Sequence, residues 1–229
     1  MSDNGAVREL TEDVDSRRRF LKMVGGAGAA SAFAIFAAAC GGDDEEESSG
    51  GSGTTSTQSD TNSMSGGSKG GDLEIVQYAL TLEHLETDFY TAVLEAGVIT
   101  DKALGKVATK IRDNEQEHVD ALTATVKQLG GKPEKPKTDF AAIIEAGPKK
   151  ILETAAEVEN LGAAAYLGQA PRIKSKDVLA AALSIHSVEA RHAAALNRVV
   201  GKTIVPDGAF AKPASMDEVL PKVKPFLAA

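Results

Sequence analysis

Tryptophan is absent from this 229-residue chain, aromatic residues make up only 4% of it, and cysteine occurs once. The lone Cys40 excludes an intramolecular disulfide. Scarce aromatics weigh against a β-sandwich, whose strands draw on aromatic and β-branched side chains. The plentiful Ala and Gly suit close helix packing instead. Basic residues are outnumbered too, 25 Lys and Arg against 33 Asp and Glu leaving a formal charge of −8, and no basic patch stands out. Without a basic patch, neither nucleic acid nor anionic lipid is an expected partner. The first 71 residues hold no amphipathic pattern of useful length. One domain is therefore expected from about Asp72 onward, long enough for a single filled core.

What the chain does have is a repeat. Residues 83–90 read EHLETDFY and residues 159–166 read ENLGAAAY, matching at the first, third and eighth positions. Residues 115–122 (EQEHVDAL) and 189–196 (EARHAAAL) share the pattern E-x-x-H-x-x-A-L. Glu83 precedes Glu115 by 32 residues and Glu159 precedes Glu189 by 30, so each half reads as one helical hairpin. On a helix, a three-residue step advances ~4.5 Å along one face, letting Glu and His clasp one ion. This applies to Glu115 with His118 and to Glu189 with His192. A seven-residue step is about two turns, which puts Tyr90 and Tyr166 on the inward faces of Glu83 and Glu159. Each phenol is thereby placed to hydrogen-bond and orient a carboxylate from another helix. Four carboxylates and two imidazoles are the donor set of a dinuclear carboxylate centre in a four-helix bundle. Charge balances as well, because two divalent ions neutralise four carboxylates that would otherwise repel in a desolvated core.

A single E-x-x-H is common on a charged helix, as a solvated face or an i,i+3 hydrogen bond. Recurrence behind matched Glu-x6-Tyr segments, using two of only four histidines, favours metal. His186, one turn before Glu189, reads as a satisfied core histidine or an extra ligand. His84 is rotated ~100° from Glu83 and reads as a surface residue. Glu86, one turn after Glu83, is an alternative ligand. Its counterpart in the second half is Gly162, so the site need not be symmetric. Asp113, Glu117, Asp120 and Glu157 read as solvated faces.

The expected fold class is all-α. Helix A should span 72–96 with Asp72 as N-cap and Gly97 at its stop, and helix B 101–129. Helix C should begin near Pro148 and end before Pro171. Helix D should run from Ser175 or Asp177 to Val200, with Gly201 as C-cap. The A–B and C–D connections are short, which makes antiparallel hairpins. The B–C connection, residues 130–147, can reach roughly 60 Å when extended, enough to recross a bundle ~35–40 Å long. A bundle over 72–203 is expected, with a tail over 204–229 packed on its outside.

The N-terminal part reads as an address rather than a fold. Residues 16–22, SRRRFLK, resemble the twin-arginine export signal at every specified position, with Arg17 and Arg18 as the pair. The uncharged, Ala- and Gly-rich stretch 23–40 follows. A short transmembrane anchor is the alternative, but 18 residues are marginal for spanning ~30 Å. Cys40, preceded by three alanines, resembles the lipidated cysteine of a bacterial lipoprotein box, although Ala37 stands where Leu is usual. Ordinary signal peptidase cleavage after residue 39 is the alternative. Residues 41–71, rich in Gly, Ser, Thr, Asp and Glu, read as a flexible linker with ends roughly 30 Å apart.

Over about 72–201 these residues resemble the ferritin-like superfamily. The Glu-x6-Tyr and Glu-x-x-His pairs are similar to those of rubrerythrin and bacterioferritin. SVEARHAAAL (187–196) and the tail PDGAF…EVL resemble exported ferritin-like proteins grouped with plant desiccation-related proteins. The resemblance implies a ferritin-like four-helix bundle with one long B–C crossover. It implies Glu83, Glu115, His118, Glu159, Glu189 and His192 as ligands of two divalent ions, iron or manganese. Redox chemistry on O₂ or peroxide is the expected activity, of ferroxidase or peroxidase/catalase type. A non-catalytic metal-binding or stress-protective surface protein is the rival. Expected partners are the twin-arginine export machinery and the membrane through Cys40, with a homodimer as an option. The expected location is the outer face of a bacterial cell envelope.

Overall fold

The computed structural model describes residues 66–228, with side chains from residue 71. The expected export signal, Cys40 and the linker as far as residue 65 lie outside the described residues. Six helices follow in order: α1 Gly66–Ala96, α2 Lys102–Gln128, α3 Ala141–Glu145, α4 Pro148–Gln169, α5 Lys176–Val199 and α6 Met216–Val223. Among the described residues there is no strand, and no helix is long and apolar enough to cross a membrane. The architecture is the expected all-α bundle, with α1, α2, α4 and α5 as helices A to D.

Local chemistry sets the helix ends. The Asp101 carboxylate accepts from the backbone N–H groups of Ala103 (2.8 Å) and Leu104 (2.9 Å) and so starts α2. Pro148 begins α4, where a missing N–H loses no bond, and the Ser175 hydroxyl caps α5. Gly97 and Gly201 stop α1 and α5 in the left-handed region, at φ 64° and 75°.

One end differs from expectation. The first helix starts at Gly66, upstream of Asp72, so Asp72 does not cap it. The Asp72 carboxylate instead accepts from the N–H groups of Lys174 (2.9 Å) and Ser175 (2.8 Å). It is buried and ties the start of α1 to the turn that leads into α5.

The long crossover is more structured than an extended strap. It carries α3 and inserts the buried Phe140 edge-on against Phe89 of α1, with ring centroids 5.3 Å apart. Asp88 of α1 holds it in place, accepting from Lys135 Nζ (2.7 Å) and the Thr138 hydroxyl (3.0 Å). The tail then pairs with the crossover through an isolated antiparallel bridge between Thr138 and Leu227. The tail also packs on the bundle, where Val219 and Val223 of α6 join the apolar core. Gly168 permits this approach, because a side chain there would collide with the Ala214 backbone. At that point Ala214 N–H donates to the Ala164 carbonyl at 2.9 Å.

Two apolar clusters fill the bundle. One contains Phe89, Ile111, Ala155 and Leu196; the other contains Val76, Leu122, Tyr166 and Ala182. On α2 and α5 a polar layer separates the residues of the two clusters, at 115–118 and 189–192 respectively, and Glu159 of α4 joins that layer.

Candidate metal centre

The two hairpins deliver their carboxylates and imidazoles into that layer. Glu83, Glu115, Glu159 and Glu189 are each fully buried, and His118 and His192 are nearly so. All six expected ligands converge, each from the helix on which its motif was placed. Their donor atoms form two overlapping groups within 4.8 Å: Glu83, Glu115, His118 and Glu189, and then Glu115, Glu159, Glu189 and His192. Glu115 and Glu189 belong to both.

His118 Nδ1 faces Glu115 Oε2 at 2.9 Å, Glu83 Oε2 at 3.0 Å and Glu189 Oε1 at 3.2 Å. His192 Nδ1 faces Glu115 Oε1 at 2.8 Å and Glu159 Oε2 at 3.2 Å. Glu115 therefore presents one oxygen to each imidazole.

Both tyrosines reach across to the other half. Tyr90 of α1 donates to Glu159 Oε1 of α4 at 2.6 Å, and Tyr166 of α4 donates to Glu83 Oε1 of α1 at 2.5 Å. In each case the hydrogen bond takes one carboxylate oxygen and leaves the other directed at a histidine.

Several donors stay unsatisfied. Glu115 Oε1, Glu159 Oε2, both Glu189 oxygens and His192 Nδ1 are buried without a hydrogen bond. His192 Nδ1 and Glu115 Oε1 are near enough for one, yet misaligned for it. Atoms that crowd together without bonding one another, in a place water does not reach, suit a cation between them. The oxygen and imidazole donors fit iron or manganese, whose ligand preferences they match. The residues present therefore fit bound metal.

Electrostatics of the metal-free layer follow from burial. Glu83 is pushed up to about 7, chiefly by burial and partly offset by His118. Burial and then neighbouring carboxylates raise Glu86 and Glu189 well above the usual range. Glu159 is raised by burial and by Glu115. In Glu115 burial opposes ionisation, but bonds to His118 and His192 outweigh it and hold the carboxyl well below its ordinary value. Burial alone would lower both imidazoles. The carboxylates around them prevail, lifting His118 well above its ordinary value and His192 to about 10. Without metal, two imidazolium groups supply the positive charge that the carboxylates require.

The remaining polar residues separate cleanly. His186 Nδ1 lies 3.0 Å from the Ala163 carbonyl and so has a structural partner outside the layer. Asp113 bonds Arg112, Asp120 bonds Gln116, and His84 is half-buried next to Lys135 and Asp88. Glu86 is the residue that the six-ligand set omits, although it is buried in the same layer. The signal for it was its position one turn beyond Glu83.

None of the curated proteins compared with the chain matches it significantly. A family model described as a ferritin-like domain matches residues 71–202, more than half of the 229 residues, and spans all six expected ligands and both tyrosines. The order of two helical hairpins joined by a long crossover agrees with that match, and the chain belongs to the ferritin-like domain family.

Proposed function

We propose that this chain is an exported di-metal carboxylate protein, loaded with iron or manganese, that acts on O₂ or peroxide. The observation that carries the reading is the sharing of Glu115 and Glu189 between two four-residue donor groups. Two ions would draw on all six residues through these two groups, whereas one ion held by either group would leave two of the six unused. When bound, such a pair supplies a Lewis-acidic, redox-active centre for a dioxygen or peroxide substrate.

The protein's own share of the work is positioning and exclusion of water. Tyr90 and Tyr166 fix the rotation of Glu159 and Glu83, so that the free oxygens stay aimed inward. The apolar clusters on either side keep bulk water from the carboxylates. An apolar cavity lined by Ile75, Tyr78, Ala79, Leu122, Tyr166 and Ala182 borders the layer at Tyr166. It supports a small uncharged substrate better than a charged one.

Protein reconstituted with Fe(II) or Mn(II) is expected to consume H₂O₂ or O₂, followed with an oxygen electrode and a peroxide assay. Tyr90→Phe should lower the rate by roughly 10–100-fold without abolishing it, the usual size of an outer hydrogen bond to a ligand. If both metal forms bind stoichiometrically and neither consumes O₂ or peroxide, the non-catalytic metal-binding reading replaces this one.

The location is part of the same proposal. Arg17 and Arg18 would direct export of the folded domain, and Cys40 would anchor it by a lipid. Folding before export would let the cytoplasm choose the metal. Arg17→Lys combined with Arg18→Lys should leave precursor in the cytoplasm, and Cys40→Ala should move the domain from the membrane to the soluble fraction. Wild-type export of the double-lysine variant, or a Cys40→Ala protein still in the membrane pellet, would refute the respective assignment.

A further inference from the structure

The duplicated segments differ at one position that decides packing. Before Tyr90 the first half has Phe89; before Tyr166 the second half has Ala165. Phe89 is fully buried edge-on to Tyr90, with ring centroids 5.2 Å apart, and fills that side of the bundle. Ala165 leaves space instead, and it lines the apolar cavity that borders Tyr166. The cavity has a volume of about 30 Å³. One water needs roughly 10–15 Å³, and a cavity of roughly 150 Å³ admits benzene. The space beside Ala165 therefore suits a guest of two bonded heavy atoms.

Its wall offers little to a polar guest. Val76, Leu82, Leu122 and Ala182 line it with hydrocarbon. Four polar side chains border it as well: Tyr78, Thr125, Tyr166 and Gln169. The Tyr166 hydroxyl donates to Glu83, the Thr125 hydroxyl donates to the Ala121 carbonyl, and Gln169 Oε1 accepts from Arg172. Of the four, only Tyr78 has a hydroxyl buried without a partner. Hydrogen peroxide would bring two hydroxyls to one free group, and burying an unpaired hydroxyl is costly. Dioxygen, apolar and diatomic, has no such bond to lose.

We propose that the Ala165 cavity is a binding site for dioxygen, placed to serve the ion held by Glu83 and His118 and closed to hydrogen peroxide. This rests on the two-ion reading above and chooses between its two oxidants. The link to the metal layer is short. Leu82 adjoins Glu83 in the chain, and the bordering Tyr166 holds Glu83 Oε1 at 2.5 Å. Glu83 belongs to one donor group only, so dioxygen approaches the centre from one side. The half-buried Val178 and Ala181 of α5 are the lining residues most open to solvent, and they mark the way in.

The first measurement uses metal-free protein and so stands apart from the centre. Dioxygen is paramagnetic and relaxes nearby methyl protons. Under dioxygen pressure, Val76 and Leu122 should relax at least about threefold faster than Leu85 and Val93, which are buried in the other cluster where close packing excludes a guest. Ala165→Val and Ala182→Val fill the space from α4 and α5, and each should remove the difference. Hydrogen peroxide should leave the Val76 and Leu122 methyl shifts unchanged. The second measurement follows oxidation of the Fe(II)-loaded protein by stopped flow. In Ala165→Val the dioxygen concentration for half-maximal rate should rise about tenfold at an unchanged limiting rate, the mark of lost binding. Its oxidation by hydrogen peroxide should keep the wild-type rate. Equal relaxation of all four residues in wild type overturns the site. Peroxide-induced shifts at Val76 and Leu122 overturn the exclusion. A gas site lost in Ala165→Val with an unchanged dioxygen dependence overturns its service to the ion. If wild type binds gas but no metal, the two-ion reading fails, and the cavity loses that role with it.

Discussion

Glu115→Ala is expected to lose both metal ions, whereas His118→Ala and His192→Ala should each lose one. The asymmetry follows from membership: Glu115 contributes to both donor groups, while each histidine contributes to one. Glu115 is also the carboxylate held ionised by both imidazoles, with one oxygen turned to each. Deleting it removes an anion from two ions at once and leaves a void that the surrounding helices close only partly. Affinity for Mn(II) or Zn(II) should drop more than ~100-fold, beyond what loss of an outer hydrogen bond produces. Metal analysis of the purified variants reads the stoichiometry directly. A Glu115→Ala protein that retains two tightly bound ions would mean the centre lies elsewhere.

Metal-free protein is expected to become less stable as pH rises, and metal loading to reverse the trend. The direction comes from which state holds protons. Glu83 titrates near 4.5 when unfolded but keeps its proton to about 7 in the fold, so the native state binds more protons across that window. His192 does the same between 6.5 and about 10. Glu86, Glu159, Glu189 and His118 shift in the same sense. Stability falls wherever the folded state binds the extra protons. Glu115 opposes this only at acid pH, because its depressed value adds stability above 4.5 that disappears as pH drops through its folded value. Bound ions need deprotonated ligands, so they displace these protons and bind more tightly as pH rises. Two ions at free concentrations about 100 times their Kd add roughly 5 kcal/mol, or about 10–20 °C in Tm. Thermal melts in chelator and in metal across this pH range would show it. Melting points in chelator that rise with pH would contradict the assignment of charges.

How much could be read beforehand depended on range along the chain. The six converging side chains and the two tyrosines were legible because three- and seven-residue steps fix a helix face, and the duplication named the same faces twice. The starts of α2, α4 and α5 were legible from Asp101, Pro148 and Ser175, whose capping chemistry is local. The start of α1 was not, because GGSKGG has the composition of a coil. Asp72 looked like a cap for its own helix, yet it serves a turn about a hundred residues away, and no local pattern announces that. The short α3 and the burial of Val219 and Val223 were likewise settled by partners distant in sequence. Glu86 was visible as a candidate, but its packing against the bare Gly162 of α4 depends on a contact distant in sequence.

The crossed tyrosines also have a consequence for how the chain assembles. Tyr90 and Tyr166 each belong to one hairpin and bond a carboxylate of the other. Sliding one hairpin past the other by a single helical turn, about 5.4 Å, would break both bonds together and strand two phenols and two carboxylates in an apolar interior. Mis-docked arrangements are therefore penalised twice for one error. The pair works as a register check, one that accepts the hairpins only in the alignment where ions can later enter.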